Sequence, residues 1–449
     1  MSKIAVATTW TVTVILLGVV VNCNTTARIR FDDNQLSGIA ISNAQPKRTD
    51  NELPQCDVKT GDPTRLLVST VIFGQLGSSD SSDLFAVRPG DSLKRGLVDV
   101  GTTVGTTNFT FTKSCIQADG QGNCSDADIN SQQVSLQTNK VEYFERMGKS
   151  DTLGLVILLD QSGSISGAIE ANGTTFRETD QGLSDVNVAS DPSGIRLVAI
   201  QSLIAALQSQ DKVLVLAYSS KGLRLVCNLS ESDFPDFNER AKRCFSANKT
   251  PLTDPEQSRT TINSTDIQFN AKGRSNMWEA VKWAIEFHAA NSSGLKPQIL
   301  VVNDGPDTCT NYEGFDNCST VTVDQVKTIA TPQVPVHFVQ FTSRVHTARD
   351  TDQQLVSCLT RGEYIFVSNV NGLKDNGPHK GALTLARFMM QGTWLLHVNV
   401  PALSGRPGGN GYLIQSVVNF DSTDLGDPQQ FLLQFDPDTR DSRLHVYKP

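Results

Sequence analysis

The sequence predicts an α/β domain with a doubly wound, mainly parallel sheet, lying between two β-rich segments. Strands of a buried type alternate with amphipathic helices from residue 151 to residue 391, which is typical of a parallel sheet with helices on both faces. The run Leu153–Leu159 is apolar except for Gly154, as expected of a strand buried on both sides. Short strand-like runs separated by turn residues occupy both flanks.

Composition divides the chain into five segments. We predict a signal peptide at 1–22, a polar tether at 23–55, a β-rich segment at 56–150, the α/β domain at 151–391 and a second β-rich segment at 392–449. Neither β-rich segment is long enough to form a comfortable sandwich alone. Our architectural hypothesis is therefore one β-sandwich built from both flanks, with the α/β domain inserted between them.

The N-terminus has the pattern of an export signal. Lys3 precedes a mostly apolar run from Ile4 to Val21, and a basic residue before an apolar core is typical of such signals. Threonines within the run make it a poor permanent membrane span. Cys23 is the candidate lipidation site of a bacterial lipoprotein, although Asn22 stands where a small residue is usual. A conventionally cleaved secretory peptide and an uncleaved membrane anchor remain open alternatives.

The predicted elements follow from hydrophobic period and turn residues. In the N-terminal flank the strands are Arg65–Phe73, Leu84–Val87, Asn108–Thr112 and Val134–Phe144, and in the C-terminal flank Trp394–Val400, Tyr412–Phe420, Phe431–Phe435 and Leu444–Tyr447. In the α/β domain, strands Asp211–Tyr218, Gln298–Asn303, Val334–Phe341 and Glu363–Val367 alternate with helices Ile195–Gln208, Asn276–Ala290, Val323–Ile329, Thr351–Leu359 and a last helix around 382–389. The long polar spacer Gly167–Pro192 is interpreted as an insertion beside the first strand's end.

Nine cysteines also favour export, since disulfides persist in oxidising compartments. If Cys23 carries lipid, eight cysteines remain, and local pairing is the simplest hypothesis. The candidate pairs are Cys115–Cys124, Cys227–Cys244 and Cys309–Cys318, which leaves Cys56 with Cys358. Zinc is the weaker interpretation because the sequence has no Cys-x-x-Cys pair.

The most informative polar residues follow the strand at 153–159. Asp160, Ser162 and Ser164 place a carboxylate and two hydroxyls on alternate residues, with Gly163 allowing a tight turn between them. Open α/β sheets form their sites at the carboxyl ends of strands. Oxygen ligands of this kind suit Mg²⁺, Mn²⁺ or Ca²⁺ rather than zinc. The alternative is that these residues only cap a helix or form a turn.

Asp-x-Ser-x-Ser after an apolar strand resembles the metal-ion-dependent adhesion site of von Willebrand factor type A domains, whose fold is Rossmann-like. The resemblance covers about residues 150 to 391 and implies two further ligand loops. Ser275, in Gly273-Arg-Ser275, stands where threonine is usual, and Asp304 follows the strand that ends at Asn303. The implied metal ligands are therefore Asp160, Ser162, Ser164, Ser275 and Asp304. Asp307 is a candidate for a second cation or for a turn cap.

Hydroxyls with one or two carboxylates leave a divalent cation incompletely neutralised and one coordination position open. An acidic side chain of a protein partner can fill that position. The resemblance thus implies a binding or adhesion protein that uses Mg²⁺, or Mn²⁺ or Ca²⁺. We expect it to be exported to the cell envelope or cell surface and held at the membrane by a lipid anchor or an N-terminal segment; secretion is the alternative.

Other functions fit the sequence less well. A structural scaffold of an envelope complex, with a vestigial or purely stabilising metal, is the second hypothesis, and the serine at 275 favours it. A metal-dependent hydrolase is a third, but no general-base constellation accompanies the motif, so we do not expect an enzyme. The net charge of −8 disfavours nucleic-acid binding.

Overall fold

The computed structural model describes the central domain with its side chains and the flanking strands by their backbone. Side chains are described for residues 143–395, except 149, 170–177, 180–184, 186, 228, 246–270, 310–317, 368, 375–380 and 394. Outside that range, only the strands given below are described. The predicted signal peptide, Cys23, Cys56 and the proposed Cys115–Cys124 pair therefore lie outside the described side chains.

The N-terminal flank contributes eight strands. They are β1 Ile29–Phe31, β2 Gly38–Pro46, β3 Arg65–Gln75, β4 Leu84–Ala86, β5 Ser92–Arg95, β6 Val98–Thr103, β7 Phe109–Ala118 and β8 Gln137–Glu145. Strands β1 and β2 lie within the predicted tether 23–55, and β2 pairs antiparallel with β3. Ile39 and Ile41 alternate with small residues in β2, a period-two pattern that the polar composition around it concealed.

The central domain alternates strands and helices, as predicted. Its elements are β9 Leu153–Asp160, α1 Gly163–Ser166, β10 Ile169–Asn172, β11 Thr175–Glu178, α2 Ile195–Ala205, β12 Lys212–Ser219, β13 Gly222–Leu225, α3 Phe237–Ser246, α4 Met277–Asn291, β14 Lys296–Asn303, α5 Val323–Ile329, β15 Val336–Phe341, α6 Thr351–Leu359, β16 Tyr364–Val367 and α7 Ala382–Gln391. A short 3₁₀ helix spans Val370–Leu373. The hairpin β10–β11 lies within the predicted insertion, while β13 and α3 are absent from the sequence prediction.

The central sheet has the strand order β13-β12-β9-β14-β15-β16. All neighbouring strands are parallel except the edge strand β13, which is antiparallel to β12. The chain moves outward from β9 to β12 and then returns to the other side of β9 through β14. This is the doubly wound, Rossmann-like order, in which the switch point lies between β9 and β14.

Two apolar cores cover the two faces of the sheet. On one face, alternate residues of β9 such as Leu155 and Ile157 pack with α2 and α7. On the other face, Val156 and Leu158 pack with helices α3 to α6. Every residue of β9 is buried, which confirms the prediction for this strand. Its residues are apolar on both sides because helices cover both faces.

The C-terminal flank forms β17 Gly392–Asn399, β18 Tyr412–Phe420, β19 Gln429–Phe435 and β20 Ser442–Val446. Strand β17 pairs with β3 and β8, and β18 pairs with β7. Strands from before and after the α/β domain therefore share two sheets, of orders β2-β3-β17-β8 and β20-β19-β18-β7. The domain boundaries and the sandwich packing of these sheets stay predictions.

Two predicted disulfides are present in the structure. Cys227 is joined to Cys244 and Cys309 to Cys318. Cys358 is also disulfide-bonded, and its partner lies outside the residues with described side chains. Local pairing is thus confirmed for the two pairs that can be observed.

Candidate metal-binding site

The first predicted ligand loop leaves β9 at its carboxyl end. Asp160 is the last residue of β9, and its Oδ1 accepts a hydrogen bond from the Ser162 N–H at 2.7 Å. The hydroxyl oxygens of Ser162 and Ser164 lie 3.1 Å apart. Ser162 precedes α1 but makes no side-chain capping hydrogen bond. Helix capping therefore does not account for its hydroxyl.

Gly163 is required by close packing rather than by an unusual backbone conformation. A Cβ here would lie 2.3 Å from the carbonyl oxygen of Ala168, and Gly163 is not among the glycines with positive φ. Its N–H donates to the carbonyl of Gly273 at 2.8 Å. The Gly163 N–H thus joins the first ligand loop to the second. Glycine is needed here because of the close approach of Ala168, and not because of the tight turn that the sequence predicted.

The second loop brings a hydroxyl to Asp160 from before α4. The Ser275 hydroxyl donates to Oδ2 of Asp160 at 3.2 Å, and the Ser275 N–H donates to the Thr308 hydroxyl at 2.8 Å. The loop is held from another side by Ser220, whose N–H donates to the Arg274 carbonyl at 2.8 Å. Ser275 therefore keeps the position that the resemblance gives it.

The third loop follows β14. Asp304 accepts a hydrogen bond from the Ser164 hydroxyl at 3.0 Å and another from the Ser190 hydroxyl at 2.6 Å. Asn303 is turned away from it: its amide donates to Gln353 at 3.0 Å and its oxygen accepts from the Gly305 N–H at 3.2 Å. The structure thus brings all five predicted ligands together at the switch point between β9 and β14.

Asp307 has a different role in the structure. Its carboxylate accepts hydrogen bonds from the N–H groups of Trp278 and Cys309, both at 2.9 Å. Trp278 lies in the first turn of α4, so Asp307 stabilises the start of that helix. These contacts match the capping alternative, and the second-cation alternative stays a hypothesis.

Three site residues escaped the sequence analysis. Glu178, at the end of β11, accepts hydrogen bonds from the Ser164 and Thr308 hydroxyls, both at 2.6 Å. Ser190 reaches Asp304 as described above. No local pattern marks Glu178, Ser190 or Thr308, and the position of Gly167–Pro192 directly after the motif was the one available signal.

The site is deeply buried. Asp160, Ser162, Ser164, Ser275 and Asp304 are each no more than 2% exposed, and Glu178 is 5% exposed. Burial, followed by the charges of Asp304 and Glu178, raises the pKa of Asp160 well above its usual range. Burial and the charge of Glu178 raise the pKa of Asp304 to about 7, although hydrogen bonds from Ser190 and Ser164 oppose the shift.

The donor set fits a hard divalent cation. Within the described residues, no group of three or more His, Cys, Asp or Glu side chains is placed to hold a metal ion, so carboxylates and hydroxyls would have to share the coordination. Ser164 Oγ has three oxygens within 3.1 Å, those of Glu178, Asp304 and Ser162, but only one proton to offer. A cation would relieve this excess of acceptors.

The strand order, the two helical layers and the three ligand loops at the switch point define the class of this domain. The α/β domain has the doubly wound, Rossmann-like fold that the resemblance to von Willebrand factor type A domains implies. No protein-family model matches the sequence, and no curated protein matches it either.

Solved structures with detectable likeness are distant in sequence. Manganese-loaded TRAP protein of Plasmodium vivax is 12% identical with a TM-score of 0.32, over 66% of this chain and 96% of that one. A von Willebrand factor type A protein from Catenulispora acidiphila is 11% identical with a TM-score of 0.33, over 67% and 72%. The pilus adhesin SpaC of Lactobacillus rhamnosus GG is 10% identical with a TM-score of 0.32, over 87% and 55%.

Among the described helices, none is both long and apolar enough to cross a bilayer.

Proposed function

We propose that this protein is a binding or adhesion protein that engages an acidic side chain of a protein partner through a divalent cation. Asp160, Ser162, Ser164, Ser275 and Asp304 hold the cation, and the carboxylate of the partner fills the remaining coordination position. Mg²⁺ is the expected ion, with Mn²⁺ or Ca²⁺ as alternatives. The protein acts by binding and not by catalysis.

The convergence of the five side chains supports this proposal. They come from three loops far apart in sequence, yet each is hydrogen-bonded to another member of the set. Two buried carboxylates in one site repel each other, and buried charges are normally paired or bound to a metal. A divalent cation would supply the missing positive charge.

Export and membrane attachment are part of the proposal. The basic and apolar N-terminus, Cys23 and the cysteine-rich composition favour an exported protein at the cell envelope or surface. Attachment through lipid on Cys23 predicts that a radiolabelled lipid precursor is incorporated, and that Cys23→Ala abolishes the incorporation. A cleaved, unlabelled protein in the medium would indicate secretion instead.

The test of the site is direct metal binding. Asp160→Ala is expected to weaken Mn²⁺ binding by at least roughly 10–100-fold, the loss produced even by removing an outer partner of a metal ligand. Isothermal calorimetry on the full chain measures it. The control is Asp324→Ala, which removes a carboxylate that is 83% exposed in α5. Equal Mn²⁺ affinity in the Asp160→Ala variant and the wild type would contradict the proposal.

Burial of the ligands favours a second candidate function, a scaffold whose metal only stabilises the fold. Capture of partners from an envelope extract, with and without EDTA, separates the two. Binding that EDTA abolishes supports engagement through the cation. Binding that persists in EDTA, with metal-dependent stability, supports the scaffold.

A further inference from the structure

The insertion between α1 and α2 places a carboxylate of this chain inside the candidate site. The hairpin β10–β11 ends at Glu178, whose two carboxylate oxygens contact Ser164 and Thr308 at 2.6 Å. Ser164 is a predicted ligand, and Thr308 holds the Ser275 loop through the Ser275 N–H. Glu178 therefore bridges the first and third ligand loops, and Thr308 links it to the second.

The same insertion also covers the site. The predicted ligands are no more than 2% exposed, so a carboxylate of another protein has no direct path to them in this structure. Ser190, near the other end of the insertion, contacts Asp304 at 2.6 Å. The backbone attaches the hairpin as well, because the Thr179 carbonyl accepts from the Gly273 N–H at 3.1 Å.

Glu178 carries the same chemical group, a carboxylate, that we expect the partner to supply. A glutamate carboxylate is the group that would fill the open coordination position, and here it already lies beside a ligand hydroxyl. The interior holds three mutually repelling carboxylates, Asp160, Glu178 and Asp304, and a bound divalent cation would reduce their repulsion.

We propose that Glu178 is an internal ligand, which occupies the cation's open position until the carboxylate of a partner replaces it. This inference rests on the proposed function, because it requires a bound cation. The hairpin β10–β11 then acts as a built-in competitor, and partner binding requires it to move from the site. Asp160 or Asp304 would contact the cation through water, so that the three carboxylates need not all meet at one point.

Mn²⁺, added to the full chain without any partner, is the probe for this inference. Two quantities are measured: the Mn²⁺ affinity and the relaxation of water protons by the bound ion. Glu178→Gln should still bind Mn²⁺, with a rise in proton relaxation, because a water molecule replaces the carboxylate. Acetate, as the simplest carboxylate, should reverse that rise in the variant and have little effect on the wild type. Glu286→Gln, an exposed glutamate paired with Lys282 in α4, should match the wild type.

The outcomes separate the two proposals. Mn²⁺ binding with equal proton relaxation in wild type and Glu178→Gln overturns the internal ligand and leaves the proposed function intact. No Mn²⁺ binding in the wild type overturns both. Circular dichroism checks that the variant folds, and Glu178→Asp, which keeps the charge but shortens the side chain, should raise the relaxation in the same direction if Glu178→Gln is unstable.

Discussion

Metal-free protein is expected to lose stability as the pH rises from about 4 to about 7, and Mn²⁺ should restore it. Burial and the charge of Glu178 raise the pKa of Asp304 from 3.8 to about 7. The folded state therefore holds this proton more tightly than the unfolded state. The resulting stability is complete below pH 3.8 and is lost as the pH rises through about 7.

The expected size of this effect is roughly 4 kcal/mol for Asp304, since one pKa unit corresponds to about 1.4 kcal/mol. The pKa of Asp160 is raised by the same causes, so it changes stability in the same direction. A cation that binds only the folded state replaces the lost proton and adds stability in proportion to its binding. At pH 7.5 the stabilisation by Mn²⁺ should therefore exceed that at pH 5.

Urea unfolding of chelator-stripped protein at pH 5 and pH 7.5 measures this prediction. The comparison is with Asp304→Asn, which is neutral at every pH and keeps a similar shape. Carboxylates away from the site contribute equally to both proteins, so the difference between them reports Asp304 together with its interaction with Asp160. A difference that does not change with pH would contradict the expected pKa, and equal stabilisation of both proteins by Mn²⁺ would contradict a site at Asp304.

Replacing Arg196 by methionine should lower the free energy of unfolding by about 3–5 kcal/mol. Arg196 donates to Asp191 at 2.8 Å, and both side chains are completely buried. Removing the guanidinium leaves a buried carboxylate without its counter-charge, which costs more than the attraction of an exposed pair. Asp191 also accepts from the Ile195 N–H at 2.7 Å, so the start of α2 depends on the same carboxylate.

The free energy of unfolding of Arg196→Met, measured by thermal and urea unfolding, tests this prediction, and Arg243→Met is the control. Arg243 pairs with Glu239 in α3, where both side chains are about half exposed, and such a pair contributes about 0.5 kcal/mol or less. The double variant Arg196→Met, Asp191→Asn should recover part of the loss, because the unpaired charge is removed. A cost for Arg196→Met that matches the control would show that the buried pair contributes little.

The sequence predicts those parts of the site that lie directly after a strand. Asp160 and Asp304 each follow a buried apolar run, and the carboxyl ends of parallel strands meet at one edge of the sheet. Ser162 and Ser164 are fixed relative to Asp160 by their spacing. Ser275 precedes α4 rather than following a strand, and its place in the set is what the resemblance to von Willebrand factor type A domains implies.

The rest of the site depends on how the insertion folds back, and local patterns do not encode that. Glu178 lies in a short hairpin with little hydrophobic alternation, and its partners Ser164 and Thr308 are distant from it in sequence. The same limit applies to β2, since a strand in a polar context is stabilised by its pairing with β3 rather than by its own composition. Composition indicated a tether where a paired strand is found.

The pairing of β8 with β17 has a mechanical consequence. Gly392 lies opposite Glu145, and the N–H groups of Arg146 and Met147 donate to the Gln391 carbonyl at 3.1 Å. The chain thus enters and leaves the α/β domain at one place, where two neighbouring strands hold it together. A pulling force between the chain's two ends would load the hydrogen bonds of these strands before it reached the α/β domain. The candidate ligand loops lie at the opposite, carboxyl end of β9, away from that load.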